Sequence, residues 1–418
     1  MDEHYERQLR HQAIRRLRRG QSPSLIACCL GRTRRWVHKW WQRFFLQGWA
    51  GLVSRSRQAH HGPNRYGPSV RRYVARARRG LERAPVGLIG PDSVRRQLQQ
   101  WRVRPLPSRA TIARILHREG LSSGSVTPAQ PPAYYPHPRP AAHFRLHALD
   151  WTCRYLPGGR KAFVFHTVDY ASRNLHQDIF GDKTAQNACA HALSVWRGPL
   201  GLPEGLQLDN DSAFVGGHRG RRVPGQFIRL CLAVGVEPIF LPFYEPQRNE
   251  LVEELNGLWQ WALWRRRRFG SLAQVQRSQT RFRHWYRYQY FPPALGGQTP
   301  AQAARRQPVM RLTALQRWQL PVPLPLTAGR LHFIRLVDTD GQIRILNESW
   351  PVGRRWAGKY VWATILTERQ RLDVYVRASL RHKVRRTKSW PYRLAEPAVP
   401  LPPEFRRHLR RRKVCTML

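Results

Sequence analysis

Between Ser122 and Ala142 the chain runs SSGSVTPAQPPAYYPHPRPAA, and the six prolines there split it into parts that must fold separately. Proline has no backbone N–H to donate and its ring fixes φ, so such a run sustains neither a helix nor an interior strand. Residues 122–143 are therefore expected to be a linker. Before it the apolar residues follow a helical period; after it they fall into short strand-like runs.

The first part carries two helical units. Residues 4–18 place Leu9, Ala13 and Leu17 on one face among arginines. SLIACCL, Ser24 to Leu30, is a second short helix that Gly31 stops, and Thr33 can cap a third, RRWVHKWWQRFF. This predicts a helix-turn-helix over residues 1–60, with Arg34, Arg35, His38, Lys39 and Gln42 available to DNA and Trp36, Trp40 and Trp41 packed against the first helix. Pro91–Trp101, followed by RATIARILHREG behind a Ser108 cap, predicts a similar unit over 66–121, with Arg109 and Arg114 as its DNA-facing candidates. Two such units in tandem suit an extended DNA site.

Charge supports that partner. The 73 lysines and arginines against 25 acids give a formal net charge of +48, which opposes compaction unless a polyanion neutralises it. Only seven of the basic residues are lysines, and arginine clamps phosphate in bidentate fashion. No apolar run approaches the roughly 20 residues of a spanning helix, so no membrane partner is expected. MDEHYERQLR lacks the apolar stretch of a signal peptide. Cys28, Cys29, Cys153, Cys189, Cys231 and Cys415 form no CxxC pair and read as small buried hydrophobes in a reducing cytoplasm.

The middle third, 144–270, has another character. Strands are expected at 144–155, 162–169, 175–180, 206–208 and 237–241, with helices at 184–196, 226–234 and from about Asn249. The order β-β-β-α-β-α-β-α is that of an RNase H-like α/β core, a hairpin-led mixed sheet covered by helices. Residues 271–324 read as a helical basic connector, 325–380 as a small β-barrel of short alternating strands, and 381–418 as a flexible basic tail. The expected fold class is thus multidomain α+β.

Three acids stand at element edges in this core: Asp150 in HALDWTCRY, Asp209 in LQLDNDSAF and Glu253 in EPQRNELVEELNGLW. An aspartate inside a strand is costly to bury unless it meets a cation or hydrogen-bond donors. Hard divalent cations take oxygen ligands, and two of them about 3.5–4 Å apart stabilise both the attacking and leaving oxygens of a phosphodiester displacement.

The segments LDWT, LDNDSAF and EPQRNELVEELN resemble the three catalytic segments of the retroviral-integrase superfamily, whose bacterial members are insertion-sequence transposases. VDYASR around Asp169 and WYRYQY…LGGQTP, Trp285 to Pro300, resemble that group too. The resemblance implies Asp150, Asp209 and Glu253 as catalytic and metal-holding acids, two Mg²⁺ (or Mn²⁺) ions, and Asn256 facing the site. It also implies cleavage and strand transfer on double-stranded DNA, at element ends and target, by a homo-oligomer in a bacterial, nucleoid-associated cytoplasmic setting. A transposase-derived DNA-binding regulator without catalysis and a hydrolytic nuclease are the alternatives.

The chain departs from the family pattern in three places. Asp211 and Glu250 stand where the family favours glycine, and 43 residues separate Asp209 from Glu253, the surplus fitting the loop GGHRGRRVPG, Gly216–Gly225. Beyond Glu253 the helix runs toward Arg265 and Arg266, placed to meet DNA leaving the site. Glu245, Glu250 and Glu254 compete with Glu253 for its role. Glu245 precedes the helix and is expected to be loosely held. Glu250 falls in the first turn behind an Asn249 cap, and Glu254 points to another flank.

Overall fold

A computed structural model describes residues 3–54, 66–121, 135–140, 145–216, 222–305, 309–312, 321–377 and 384–406. Most of the expected linker (122–134 and 141–143), part of the 216–225 loop and the end of the basic tail lie outside the described residues. The chain divides into two compact units, Met1–Pro68 and Ser69–Leu418.

In the first unit α1 (Glu3–Arg18), α2 (Pro23–Cys29) and α3 (Arg34–Gln47) surround a small core. Ala13, Ile26, Ala27 and Val37 form one half of it; Ile14, Trp40 and Leu52 form the other. Thr33 caps α3 as its sequence predicts, its hydroxyl accepting from the Trp36 N–H at 3.2 Å. Trp40 is buried and Trp36 and Trp41 pack beside it, so these indoles serve the core.

The second unit begins with a further three-helix cluster, α4 (Pro68–Arg83), α5 (Pro91–Gln100) and α6 (Arg109–Arg118), built on Val74, Ala77, Val94, Leu98, Ile112, Ile115 and Leu116. Ser108 caps α6 through the Thr111 N–H.

The remaining strands are β1 (Leu146–Tyr155), β2 (Lys161–Asp169), β3 (Leu175–Phe180), β4 (Gly205–Leu208), β5 (Glu237–Phe240), β6 (Arg330–Leu336), β7 (Gln342–Ile345), β8 (Glu348–Pro351), β9 (Tyr360–Leu366), β10 (Arg371–Val376) and β11 (Arg385–Pro391). Interleaved helices are α7 (Ala185–Arg197), α8 (Ser212–Val215), α9 (Gln226–Ala233), α10 (Glu250–Ala262), α11 (Leu272–Tyr288) and α12 (Pro300–Ala304). Nine strands join one mixed sheet in the order β11-β10-β9-β6-β5-β4-β1-β2-β3. β1, β2 and β3 are antiparallel neighbours, while β4 and β5 run parallel to β1. Mixed α/β architecture with a large mixed sheet is thus what the sequence folds into.

Alternation along the strands sorts the core into two faces. Leu149, Phe163 and Phe165 face α7 and α9. Ala148, Ala162 and Val164 face α10 and α11. Helix α11, expected within a connector, is therefore part of the core through Val275, Phe282 and Tyr286.

Four expectations need correction. No closed ladder forms among the described residues of 325–380: β6 pairs in parallel with β5, β9 and β10 continue the sheet, and β7–β8 stand apart as a hairpin. The open edge of β5 offers unpaired backbone groups, and β6 satisfies them. Residues 385–391, placed in a flexible tail, form strand β11 against β10, and Tyr392, Leu401 and Phe405 are buried beyond it. Nor is 135–140 a bare linker: Tyr135 is buried with Leu146, Ile239 and Trp362. Cys28 and Cys29 are exposed, unlike buried Cys189 and Cys231. No described helix is long and apolar enough to cross a membrane.

Candidate active site

Strand parity sets the first acid. Asp150 lies two residues beyond Ala148 on β1, hence on the α10 face, and its cross-strand partner His166 stacks edge-on against Trp259 of α10. Asp209 follows the last residue of β4, where the strand ends and the chain turns toward α8. Glu253 sits in the first turn of α10. All three line one cleft of about 470 Å³, together with Asn210, Asp211, Phe243, Tyr244, Glu245 and Asn249.

Their charges are felt mutually. Burial, then the neighbouring Asp209 and Glu253, pushes the Asp150 carboxyl up to about 8, against the opposing help of the Trp151 N–H and the Asn256 amide. Burial likewise lifts Asp209 to about 6, with Asp211 and Glu253 adding to the rise and the Asp211 N–H and Lys183 opposing it. Burial also raises Glu253. Asn256 donates from Nδ2 to Asp150 Oδ2 at 3.3 Å, so it supports the cleft rather than presenting a free surface to DNA.

Two of the three departures, Asp211 and Glu250, have local explanations. Asp211 is extended (φ −63°), not left-handed, so glycine is not required there. Its carboxylate caps α8 through the Ala213 N–H at 2.9 Å and takes the Lys183 ammonium at 2.7 Å. Its extra negative charge is thus partly offset by the ammonium, although it still adds to the rise of Asp209. Glu250 opens α10 with helical φ and ψ, where a carboxylate suits the helix dipole.

Other assignments change. Asn249 makes no cap; it is buried, and its Oδ1 accepts from Gln207 Nε2 at 3.0 Å. Glu245, expected to be loosely held, accepts from Tyr360 Oη at 2.6 Å and Arg248 Nε at 3.0 Å. The Arg248 guanidinium in turn lies 4.2 Å over the Tyr135 ring. These partners come from β9 and from the proline-rich stretch, beyond the reach of any local pattern. Sequence reasoning also missed Arg335. Buried under the cleft, it donates to Leu241 O at 2.6 Å and to Asn210 Oδ1 at 2.7 Å, fixing the ends of β4 and β5. Burial lowers it to about 9.

Of the expected DNA-facing residues, Arg34, Arg35, His38, Lys39 and Gln42 are all exposed on α3, and Arg109 and Arg114 are exposed on α6. Arg109 also pairs with Asp92 at 3.2 Å. Arg265 is exposed and stacks 3.9 Å over the Trp261 ring. Arg266 is half-buried, and its guanidinium is engaged within the fold. It donates to the carbonyls of Leu81, Glu82 and Gly87 and pins the α4–α5 connection to the end of α10.

No family model matches the chain. Solved structures similar to it include the following. A simian T-cell lymphotropic virus intasome, in complex with PP2A regulatory subunit B56 gamma, is 15% identical over 74% of this chain and 95% of that one, with a TM-score of 0.35. The HTLV-2 integrase catalytic core domain in complex with magnesium is 17% identical over 38% and 95%, with a TM-score of 0.27. The BIV integrase catalytic core domain is 18% identical over 43% and 100%, with a TM-score of 0.29.

Proposed function

We propose that the chain is a DNA transposase of the RNase H-like, three-carboxylate kind, which cleaves element ends and joins them to target DNA. One observation carries this reading: Asp150, Asp209 and Glu253, separated widely in sequence, line a single cleft, Asp150 from the middle of β1, Asp209 from just beyond the end of β4 and Glu253 from the first turn of α10.

The donor set fits divalent cations. Burial opposes the ionisation of all three carboxylates, Asp150 and Asp209 also feel neighbouring acids, and the nearby ammonium of Lys183 is shared with Asp211. Asn256 Oδ1 and Asn249 Nδ2 are buried without a hydrogen-bond partner among the described residues, so the cleft wall keeps polar capacity in reserve. Asp150, Asp209 and Glu253 would hold two Mg²⁺ or Mn²⁺ ions. Such ions supply a nucleophilic oxygen at neutral pH and stabilise the leaving oxygen. Asn256 fixes the Asp150 carboxylate, Asp211 anchors the turn that carries Asp209, and α10 fixes the direction of Glu253.

The exposed basic faces of α3 and α6 are proposed to bind element ends, with Arg265, beyond the C-terminal end of α10, on the path of the DNA. Joining two ends calls for more than one subunit, so a homo-oligomer assembled on DNA is part of the proposal. Inverted repeats beside the gene and a short target duplication would support it.

The test is an oligonucleotide assay with an element end in Mg²⁺ or Mn²⁺. Wild-type protein should nick and join strands, and EDTA should stop both. Asp150→Asn and Asp209→Asn should bind DNA normally and do neither. Variants as active as wild type would sink the catalytic assignment. DNA binding with no chemistry even in the wild type would favour the regulator.

A further inference from the structure

On the sheet face opposite Asp150, a second group of ligand-type side chains gathers. His176 and Asp178 stand two residues apart on β3, so they share one face. Their cross-strand partners are Thr167 and Phe165, and Phe165 packs on the α7 side. From α7, His191 and, one turn on, Ser194 meet them. His176 Nε2, Asp178 and His191 Nδ1 bring their ligand atoms within 4.8 Å of one another, the group of this kind found among the described residues.

Each contact suits a metal site. His191 Nδ1 lies 2.7 Å from Asp178 Oδ2, and His176 Nε2 lies 3.2 Å from the same oxygen. Ser194 Oγ sits 2.9 Å from His176 Nε2. The far nitrogen of His191 meets Thr167 Oγ1 at 2.8 Å, an outer contact that fixes the ring and its tautomer. His191 is fully buried, while His176 and Asp178 keep 15% and 25% side-chain exposure, which leaves a path from solvent. In a chain with nearly three basic residues for each acid, the ion-pair partners of Asp178 among the described residues are two imidazoles and no arginine.

We infer that His176, Asp178 and His191 form a second metal site, chemically distinct from the carboxylate cleft, that takes a borderline transition-metal cation, zinc above all. Two imidazole nitrogens with one carboxylate oxygen select such ions over Mg²⁺, which prefers oxygen alone. Three protein ligands leave a fourth position, for water or the Ser194 hydroxyl. Ligand atoms around tetrahedral zinc stand about 3.3 Å apart for bonds of about 2.0–2.1 Å. The 3.2 Å pair already matches, and the 2.7 Å pair needs a retreat of about half an ångström. In the hydrogen-bonded state His191 Nδ1–H donates to Asp178. On metal binding that proton leaves Nδ1, and Nε2 carries one toward Thr167, so the ring stays neutral. The ion would tie edge strand β3 to α7.

Full-length protein stripped with EDTA and then dialysed is titrated with Zn²⁺ and with Co²⁺ as a spectroscopic stand-in. One tightly held equivalent, visible d–d bands of tetrahedral cobalt and a rise in melting temperature with Zn²⁺ are expected. Asp178→Asn and His176→Gln should lose the bound equivalent and the bands, whereas Asp150→Asn with Asp209→Asn should keep them. No tight zinc in the wild type, or binding unchanged in both His176→Gln and Asp178→Asn, overturns the site and leaves a hydrogen-bonded staple. Should either variant fail to fold, the wild-type cobalt spectrum decides: bands of nitrogen-ligated tetrahedral cobalt support the site, and their absence overturns it.

Discussion

Asn256 reaches across from α10 to hydrogen-bond Asp150 on β1, 106 residues earlier in the chain. Its other amide atom, Oδ1, is buried without a partner among the described residues. The contact makes Asn256 a positioning residue for the acid with the strongest reluctance to ionise. Asn256→Ala should weaken apparent Mg²⁺ affinity in strand transfer by about 10-fold to 100-fold while leaving DNA affinity alone, as removal of outer partners of metal ligands generally does. A Mg²⁺ titration of the joining rate measures this. An unchanged midpoint would remove Asn256 from the site.

The raised carboxyls make stability depend on pH in a defined direction. A folded-state value of about 8 for Asp150, above its ordinary 3.8, means that the folded protein holds this proton more tightly than the unfolded chain. The stabilising contribution is therefore present below about pH 4 and is lost as pH rises through 8. Asp209 does the same up to about 6. Without divalent ions, Asp150→Asn should melt above wild type at pH 8 by at least about 2–4 °C, and the gap should close near pH 4. Saturating Mg²⁺ should raise wild type and not the variant. A variant that melts lower at pH 8 would contradict the electrostatic account.

Asp211 gives a prediction about the family pattern itself. Replacing it with the glycine favoured there removes the α8 cap and the Lys183 pair without relieving any backbone strain. Asp211→Gly should thus lower stability by about 1 kcal/mol and should not raise strand-transfer activity. Asp211→Asn keeps the cap and should lose less. Thermal melts beside the joining assay decide it, and a faster Asp211→Gly enzyme would show that the extra charge does hinder metal binding.

How far the sequence reached depended on the range of the interaction. The strands of the core and the caps at Thr33 and Ser108 were legible because apolar runs and capping hydroxyls act over a few residues. That the described strands of 325–380 join the main sheet was not legible, because pairing of β6 with β5 joins segments some 90 residues apart and leaves no local mark. Glu245 was misjudged for the same reason, its partner Tyr360 being 115 residues away. Arg266 looked like a DNA contact because its carbonyl acceptors lie about 180 residues upstream. The segments carrying Asp150, Asp209 and Glu253 were singled out by resemblance, and the structure brings the three acids to one cleft. The His176 and Asp178 pair had a signal, H-x-D on a strand, but His191 could be joined to it only in three dimensions.

Arg266 also decides where the chain can be cut. Removal of residues 1–68 deletes one whole unit and should abolish selection of the element end while leaving salt-sensitive, non-specific binding, which falls steeply as salt rises. Removal of 1–121 also strips the carbonyls that Arg266 holds and the Val86 and Leu88 packing against the α10–α11 core. That longer deletion should melt several degrees lower. Equal melting of the two truncations would mean that α4–α6 contribute nothing to the core.

The choice among four glutamates is the sharpest prediction. Glu245, Glu250, Glu253 and Glu254 fall within ten residues, and α10 turns Leu251, Val252 and Leu255 to the core. Glu253 lines the cleft and raises both Asp150 and Asp209. Glu250 stands at the first position of the helix, and its charge is felt at His137 and Tyr170 rather than at the two aspartates. Glu254 acts on Tyr286 and Tyr290 of the α11 side. Glu245 also lines the cleft, but its carboxylate is spent on Tyr360 and Arg248. Glu253→Gln should therefore reduce strand transfer by orders of magnitude with folding intact. Glu250→Gln and Glu254→Gln should keep most of it. Glu245→Gln should chiefly cost stability, about 1–3 kcal/mol for a broken buried hydrogen-bonded pair. Single-turnover joining rates set against melting temperatures separate these outcomes. A dead but stably folded Glu245→Gln would move the third ligand from α10 to the loop before it.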